Sequence, residues 1–195
     1  MITQRFNPPK EWYMDGWNNC NKYFLGLTHL INHVWNTWNE RGQQNWNMIE
    51  IGAYMGESTM MFASTGMFNT INVIEPFKGE EEFNDMFMYD WDVIESEFNT
   101  NTRFFDNINL YKDYSYNIVD KFEDKSIDFI YIDAEHTLDS LKRDLELYLP
   151  KLKPNGIIAG HDYNKWVWPV VVKLIDDMFG DSVQEYIDTS WMVKL

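Results

Sequence analysis

The sequence predicts an α/β fold: a doubly wound, mostly parallel sheet with helices around it. Three observations carry this. Short apolar runs of strand type alternate with segments of helical periodicity along most of the chain. One run, Ile127-Asp-Phe-Ile-Tyr-Ile132, is almost continuously apolar, as expected of a strand buried on both faces of a parallel sheet. Another, Met48 to Ile51, ends in Gly52 and Gly56 ahead of Ser58 and Thr59, the form of a strand that turns sharply and restarts as a helix.

The elements follow in order. Residues 1–16 hold Pro8-Pro9 without a clear period and read as an arm or lid. From Trp17 to about Glu40, Phe24, Leu27, Leu30, Ile31, Val34, Trp35 and Trp38 recur at helical spacing, and Arg41-Gly42 is the stop. Met48–Ile51 is strand one, Ser58 to about Gly66 the next helix, and Ile71–Ile74 strand two. Residues 78–101 are acidic and aromatic and read as a helix plus loop; within them the run Gly79–Asp85 reads as a solvated face. Ile108–Tyr111 is strand three and Ser115–Phe122 a helix. Strand four, Ile127–Ile132, leads to a helix over Leu138–Leu149. Lys153-Pro-Asn-Gly156 reads as a turn, Ile157–Ala159 as strand five, and Val170–Phe179 as a helix. Val183–Ile187 and Trp191–Leu195 are the last two strands.

With 195 residues the chain can bury a sizeable core, and it is expected to be a single domain: an arm and helix over 1–45, then a Rossmann-like core over 46–195. Sixteen Lys and Arg against 31 Asp and Glu leave a net charge of −15. That field repels phosphate backbones and anionic lipid, so neither nucleic acid nor membrane is an expected partner. Cys20 is the single cysteine, so no internal disulfide can form. No segment has the form of a signal peptide or a membrane span, and the expected compartment is cytoplasmic. Aromatic residues reach 17%, read as large buried rings plus an aromatic-lined pocket. The Trp-rich first helix is also a surface on which a homo-oligomer could form.

The chemistry collects at strand ends. Glu75 directly follows strand two, where a carboxylate is well placed to accept hydrogen bonds from a ribose. With the glycine turn after strand one, this points to an adenosine-containing cofactor. The spacing Glu50-x-Gly52-x-x-x-Gly56 lacks the middle glycine of G-x-G-x-x-G, and no P-loop occurs, which argues against a pyrophosphate. Ile130-Tyr-Ile-Asp133-Ala-Glu135-His136 and Gly160-His161-Asp162-Tyr163 place two acid–histidine pairs just past strands four and five. In open α/β sheets ligands bind outside the carboxyl ends of the strands.

These residues resemble motifs of the class I S-adenosylmethionine-dependent methyltransferases. Glu50-x-Gly52-x-x-x-Gly56 matches the first motif and Glu75 the ribose-binding acid of the second. Ile-Asp-x-x-His at 132–136, Leu-Lys-Arg-Asp-Leu at 141–145, Leu-Lys-Pro-x-Gly at 152–156 and Gly-His-Asp-Tyr at 160–163 are similar to a small-molecule O-methyltransferase branch. That branch includes catechol- and caffeoyl-CoA-type enzymes and cephalosporin hydroxylase-like and macrolide sugar O-methyltransferases. The resemblance runs from about Met48 to Leu195. It implies a seven-stranded sheet with the last strand antiparallel, S-adenosylmethionine as cofactor, and a small-molecule methyl acceptor such as a sugar or metabolite.

Carried onto this chain, it implies that Glu50, Gly52, Gly56 and Ser58 surround the methionine part of the cofactor. Glu75 would take the ribose, the turn Lys112 to Ser115 would border the adenine, and Asp133 would be a further cofactor-binding residue. Acids after strands four and five hold a divalent cation in the metal-dependent relatives; here those positions are Asp133, His161 and Asp162. Catechol-type enzymes have Asp-Asn after strand five, where this chain has His161-Asp162. Two carboxylates suffice for Mg²⁺ with waters, and a histidine suits Mn²⁺ or Fe²⁺. Asn155 replaces a glycine of the family pattern, and Asn tolerates the left-handed conformation. His136 and His161 are the candidate general bases, since an imidazole titrates near neutral pH.

Plainer roles stand beside these. Asp133 could cap the helix that starts near Thr137, and His136 could be a hydrogen-bonded core group. His29 and His33, one turn apart, read as helix surface. Asn7-Pro8-Pro9 resembles a motif of amino-group methyltransferases, but Lys10 follows where an aromatic belongs, and DNA methylation is rejected. A non-catalytic adenosyl-ligand binding module with the same fold is the alternative function, and a nucleotide-dependent oxidoreductase a weaker one.

Overall fold

A computed structural model describes residues 23–78 and 90–195. Its helices and strands are α1 (Tyr23–Glu40), β1 (Trp46–Ile51), α2 (Glu57–Ala63), β2 (Phe68–Ile74), α3 (Trp91–Thr102), β3 (Ile108–Tyr111), α4 (Ser115–Ile118), β4 (Ile127–Ile132), α5 (Leu138–Tyr148), β5 (Leu152–Gly160), α6 (Pro169–Phe179), β6 (Gln184–Glu185) and β7 (Trp191–Lys194). The arm, with Trp12, Tyr13, Trp17 and Cys20, and the acidic run at 79–85 lie outside the described residues. Among the described residues no helix is long and apolar enough to cross a membrane.

The seven strands form one sheet in the order β3-β2-β1-β4-β5-β7-β6. β1 pairs in parallel with both β2 and β4, so the strand order reverses between β1 and β4. β7 alone runs against its neighbours, antiparallel to β5 and β6, as expected for the last strand.

Strand alternation builds two cores. On one face Met48, Phe129 and Tyr131 pack with Leu30, Ile31, Phe62 and Phe98 from the first three helices. On the other, Ile49, Ile51 and Ile130 pack with Leu145, Tyr148 and Ile175 from α5 and α6. Both faces of β1 and β4 are therefore covered, the physical reason their sequences read as apolar runs. Part of the aromatic excess goes into the first core, where Phe62 meets Tyr131 at 5.1 Å and Phe129 at 5.4 Å between ring centroids. Each such buried ring contributes about 1.5–3 kcal/mol through area removed from water.

Several expectations need correcting. Lys153–Gly156 does not precede strand five but lies within it, as a local irregularity between the Ile127 and Phe129 pairings, with Asn155 at φ 64°. The expected strand at 183–187 shrinks to Gln184–Glu185. Thr137, not Asp133, caps α5: its Oγ1 accepts the Ser140 N–H at 3.3 Å. His33 is not plain surface, since its Nδ1 lies 3.0 Å from the Tyr186 hydroxyl; His29 is exposed. α1 is anchored further by Asp188, whose Oδ2 accepts the Leu27 N–H at 2.5 Å. A side chain at Gly26 would collide with that carboxylate, so glycine is required there.

Candidate active site

At the carboxyl edge of the sheet the loop after β1 is drawn between its neighbours. Gly52 N–H donates to the Ile74 carbonyl at 3.0 Å, and Asp133 N–H to the Ile51 carbonyl at 2.8 Å. Gly52 has φ +82°, and a methyl group there would sit 2.2 Å from the Asp133 carbonyl oxygen. Gly56, at φ +79°, precedes α2, and a methyl group there would press on the Phe98 ring at 2.9 Å. Both glycines thus serve close packing of chain on chain, and Gly52 also lines the cavities below.

The two glutamates have different work. Glu75 is 8% exposed; its Oε2 accepts the N–H groups of Ala53 and Tyr54, both at 3.0 Å, and its Oε1 accepts that of Phe77 at 2.8 Å. It still borders a cavity, with further lone-pair capacity on each oxygen. Glu50 lines neither cavity. It is fully buried, and its oxygens accept the hydroxyls of Ser58 at 2.5 Å and Thr59 at 2.6 Å. It ties α2 to β1 from beneath the loop.

Burial pushes the Glu50 carboxyl up to about 7, against the two hydroxyl bonds that favour its charge. An acid whose folded value is raised binds more protons folded than unfolded between its ordinary value and 7. Stability therefore falls as pH rises through that window, by about 3 kcal/mol at roughly 1.4 kcal/mol per unit. Glu50→Gln is expected to raise the denaturant midpoint at pH 8 and to leave it nearly unchanged at pH 5. A gain independent of pH would contradict this.

A cavity of about 310 Å³ opens over this edge. Among the residues lining it are Gly52, Glu75, Tyr114, Ser115, Asp133 and Asp144. Ser115 is held there by Asp144, whose Oδ1 accepts its hydroxyl at 2.5 Å, and by the Tyr148 hydroxyl, which donates to its carbonyl at 2.8 Å. A second cavity of about 250 Å³ lies towards α1, bordered by Leu27, Ser58, Tyr131, His161 and Asp188. Gly52, Tyr54 and Asp133 border both.

The acid–histidine pairs converge. His136 Nε2 lies 2.5 Å from Asp162 Oδ2, and His161 Nδ1 lies 3.4 Å from the same oxygen and 4.0 Å from Asp133 Oδ1. Trp168 stacks on the His136 ring at 4.5 Å. Burial opposes charge at every member, but the pairing wins at three. The close Asp162 carboxylate raises both imidazoles, His161 to about 9, and the two imidazoles hold Asp162 well below the usual carboxylate range. Asp133 is the exception: desolvation dominates there and raises its carboxyl, favouring the neutral form.

Donor atoms of Asp133, His136 and Asp162 all lie within 4.8 Å of one another, close enough to share one divalent cation. The donor group thus includes His136, where the sequence suggested His161. Asp162 reaches it from a left-handed backbone, φ 61°, that aims its side chain back across the β4 loop.

Arg143 and Asp144 entered the sequence reading only as part of the motif at 141–145, with no role of their own, and Trp168 and Asp188 were given none. Asp144 had a legible signal, an acid on the apolar stripe Leu141, Leu145, Tyr148. Asp188 had none, because its partner Leu27 is 161 residues away.

Known proteins place this architecture. A Staphylococcus aureus structure provisionally named a caffeoyl-CoA O-methyltransferase superposes with a TM-score of 0.58 at 21% identity, covering 88% of this chain and 83% of that one. A Corynebacterium glutamicum protein superposes at 0.56 with 11% identity over 95% and 84%. The precorrin 8w decarboxylase of Methanobacterium thermoautotrophicum gives 0.53 with 16% identity over 77% and 80%. At these identities the likeness is one of fold. A curated relative, the uncharacterized protein y4gI of Sinorhizobium fredii, is 36% identical over 44 residues, which is 23% of this chain and 5% of that protein. Residues 49–163, more than half of the chain, match the methyltransferase domain family, and the chain belongs to that family of S-adenosylmethionine-dependent enzymes.

Proposed function

We propose that this chain transfers a methyl group from S-adenosylmethionine to a hydroxyl of a small acceptor, a sugar or related metabolite, with a divalent cation at the site. The observation that carries the reading is the meeting of Asp133, His136 and Asp162 beside the cavity that holds Gly52 and Glu75. Two carboxylates and an imidazole are a donor set suited to Mg²⁺ or Mn²⁺.

The cofactor supplies an electrophilic methyl group on a sulfonium. Glu75 accepts the ribose hydroxyls with the lone pairs its loop bonds leave. Tyr114 and Ser115 border the adenine, and the loop from Gly52 to Ser58 follows the methionine part, with Glu50 and Gly56 fixing that loop from behind. Asp133, His136 and Asp162 would hold the cation, which lowers a hydroxyl pKa and supplies positive charge for an oxyanion. A cation on Asp133 and Asp162 would offset the carboxylate charges that hold His161 at about 9, so that this imidazole, which borders the second cavity, could lose its proton and then receive the acceptor's; His136 is the alternative base if no cation is held. In-line displacement needs the acceptor oxygen opposite the methyl, so orientation by these groups supplies much of the rate. The arm and first helix over 1–45 would cover the acceptor. The acidic surface favours neutral or cationic acceptors over nucleic acid or anionic membranes.

Titration calorimetry with S-adenosylhomocysteine, with and without Mn²⁺, tests the reading. Micromolar binding is expected, and Asp133→Asn and Asp162→Asn should each abolish the Mn²⁺ response and lower turnover by about a hundredfold or more. Turnover retained in both variants would remove the cation from the reading. Binding that no acceptor screen converts into methyl transfer would leave a binding module.

A further inference from the structure

We propose that Asp144 decides which nucleobase the larger cavity accepts, by committing the proton of the Ser115 hydroxyl. The inference rests on the reading above that the adenosine end of the cofactor lies beside Ser115. Ser115 is 7% exposed and Asp144 4%, yet both border the cavity. An ionised carboxylate is an acceptor only. The hydroxyl, 2.5 Å from Asp144 Oδ1, is therefore the donor in that pair. It has no second proton to give, so Ser115 Oγ presents lone pairs alone to the cavity.

The geometry is fixed from α5, which grips Ser115 twice: Asp144 accepts its hydroxyl hydrogen bond and the Tyr148 hydroxyl donates to its carbonyl. Burial raises the Asp144 carboxyl above its ordinary range, and the Ser115 hydroxyl and the charge of Arg143, itself over the Tyr116 ring at 4.5 Å, act against that rise and favour the ionised form. An acid on the buried stripe of Leu141, Leu145 and Tyr148 carries a desolvation cost that an apolar residue would avoid. A function for its charge accounts for that cost, and orienting one hydroxyl is such a function. A polarised acceptor at this end suits the 6-amino group of adenine, a donor. It opposes the 6-oxo group of hypoxanthine, whose oxygen would meet lone pairs.

The experiment compares S-adenosylhomocysteine with S-inosylhomocysteine, its 6-oxo counterpart, by calorimetry. The wild-type chain is expected to prefer the amino compound by about tenfold or more, the worth of one hydrogen bond and an avoided repulsion. Asp144→Asn keeps the shape but offers an amide N–H to Ser115 Oγ, which frees the hydroxyl proton to point into the cavity. Its preference, and that of Ser115→Ala, should contract to about threefold or less. A purely structural role for Asp144 would change both affinities together and leave their ratio alone. Equal binding of the two compounds by the wild type, or an unchanged ratio in both variants, overturns the proposal while leaving cofactor binding intact. Failure of the wild type to bind either compound overturns the cofactor reading with it.

Discussion

Gly52→Ala is expected to be among the most damaging single methyls at the described glycines. The left-handed backbone at φ +82° costs an alanine about 1–2 kcal/mol. The larger penalty is the approach to β4: the new carbon would lie 2.2 Å from the Asp133 carbonyl oxygen and 2.6 Å from its carbon. Both are backbone atoms held by the Asp133 N–H bond to Ile51, so relief requires parting β1 from β4. A total of about 4 kcal/mol or more follows, or roughly 10 °C in thermal midpoint for a chain of this size. Gly42→Ala is the control. Its φ is +83° and nothing lies within 4 Å, so it bears the dihedral cost alone. Denaturant titration of the two variants separates strain from collision; equal losses would mean that the β1 and β4 loops have slack.

Glu75→Ala is expected to lose cofactor affinity by about a hundredfold or more, combining a lost ribose contact with a loosened loop. Three N–H groups, those of Ala53, Tyr54 and Phe77, depend on this carboxylate. Leaving buried donors unsatisfied costs about 1–3 kcal/mol each, less where water enters from the cavity. Stability should therefore fall alongside affinity. Glu75→Gln should fall between, since its amide nitrogen cannot accept and at least one of the three donors loses its partner. Calorimetry with S-adenosylhomocysteine and a thermal scan on the same samples check this. An affinity loss with no change in stability would assign Glu75 to the ligand alone.

The parallel sheet and the edge where its chemistry gathers were legible because both follow from local pattern. β4 is apolar at nearly every position, and each chemical motif directly follows a strand, so parallel direction alone brings Gly52, Glu75, Asp133 and His161 to one edge. What stayed hidden depends on contacts between distant segments. Neither His33 nor Leu27 carries a mark of its partner in the β6–β7 region. Which imidazole joins the two carboxylates turns on a single left-handed residue, Asp162, that no propensity marks. Lys153-Pro-Asn-Gly156 holds true turn chemistry, yet β5 pairs across it, because the neighbouring strand supplies partners on both sides.

The central place of β1 also governs how the chain must assemble. β1 and β2 can pair soon after both have formed, but the other edge of β1 waits for β4, since Met48 pairs with Phe129. Until then a nearly fully buried strand keeps one row of amides and carbonyls open. Loop closure over that span is entropically costly and slow, so the half-formed sheet is the species most exposed to mispairing with another copy. Slower synthesis at low temperature would favour closure over that encounter.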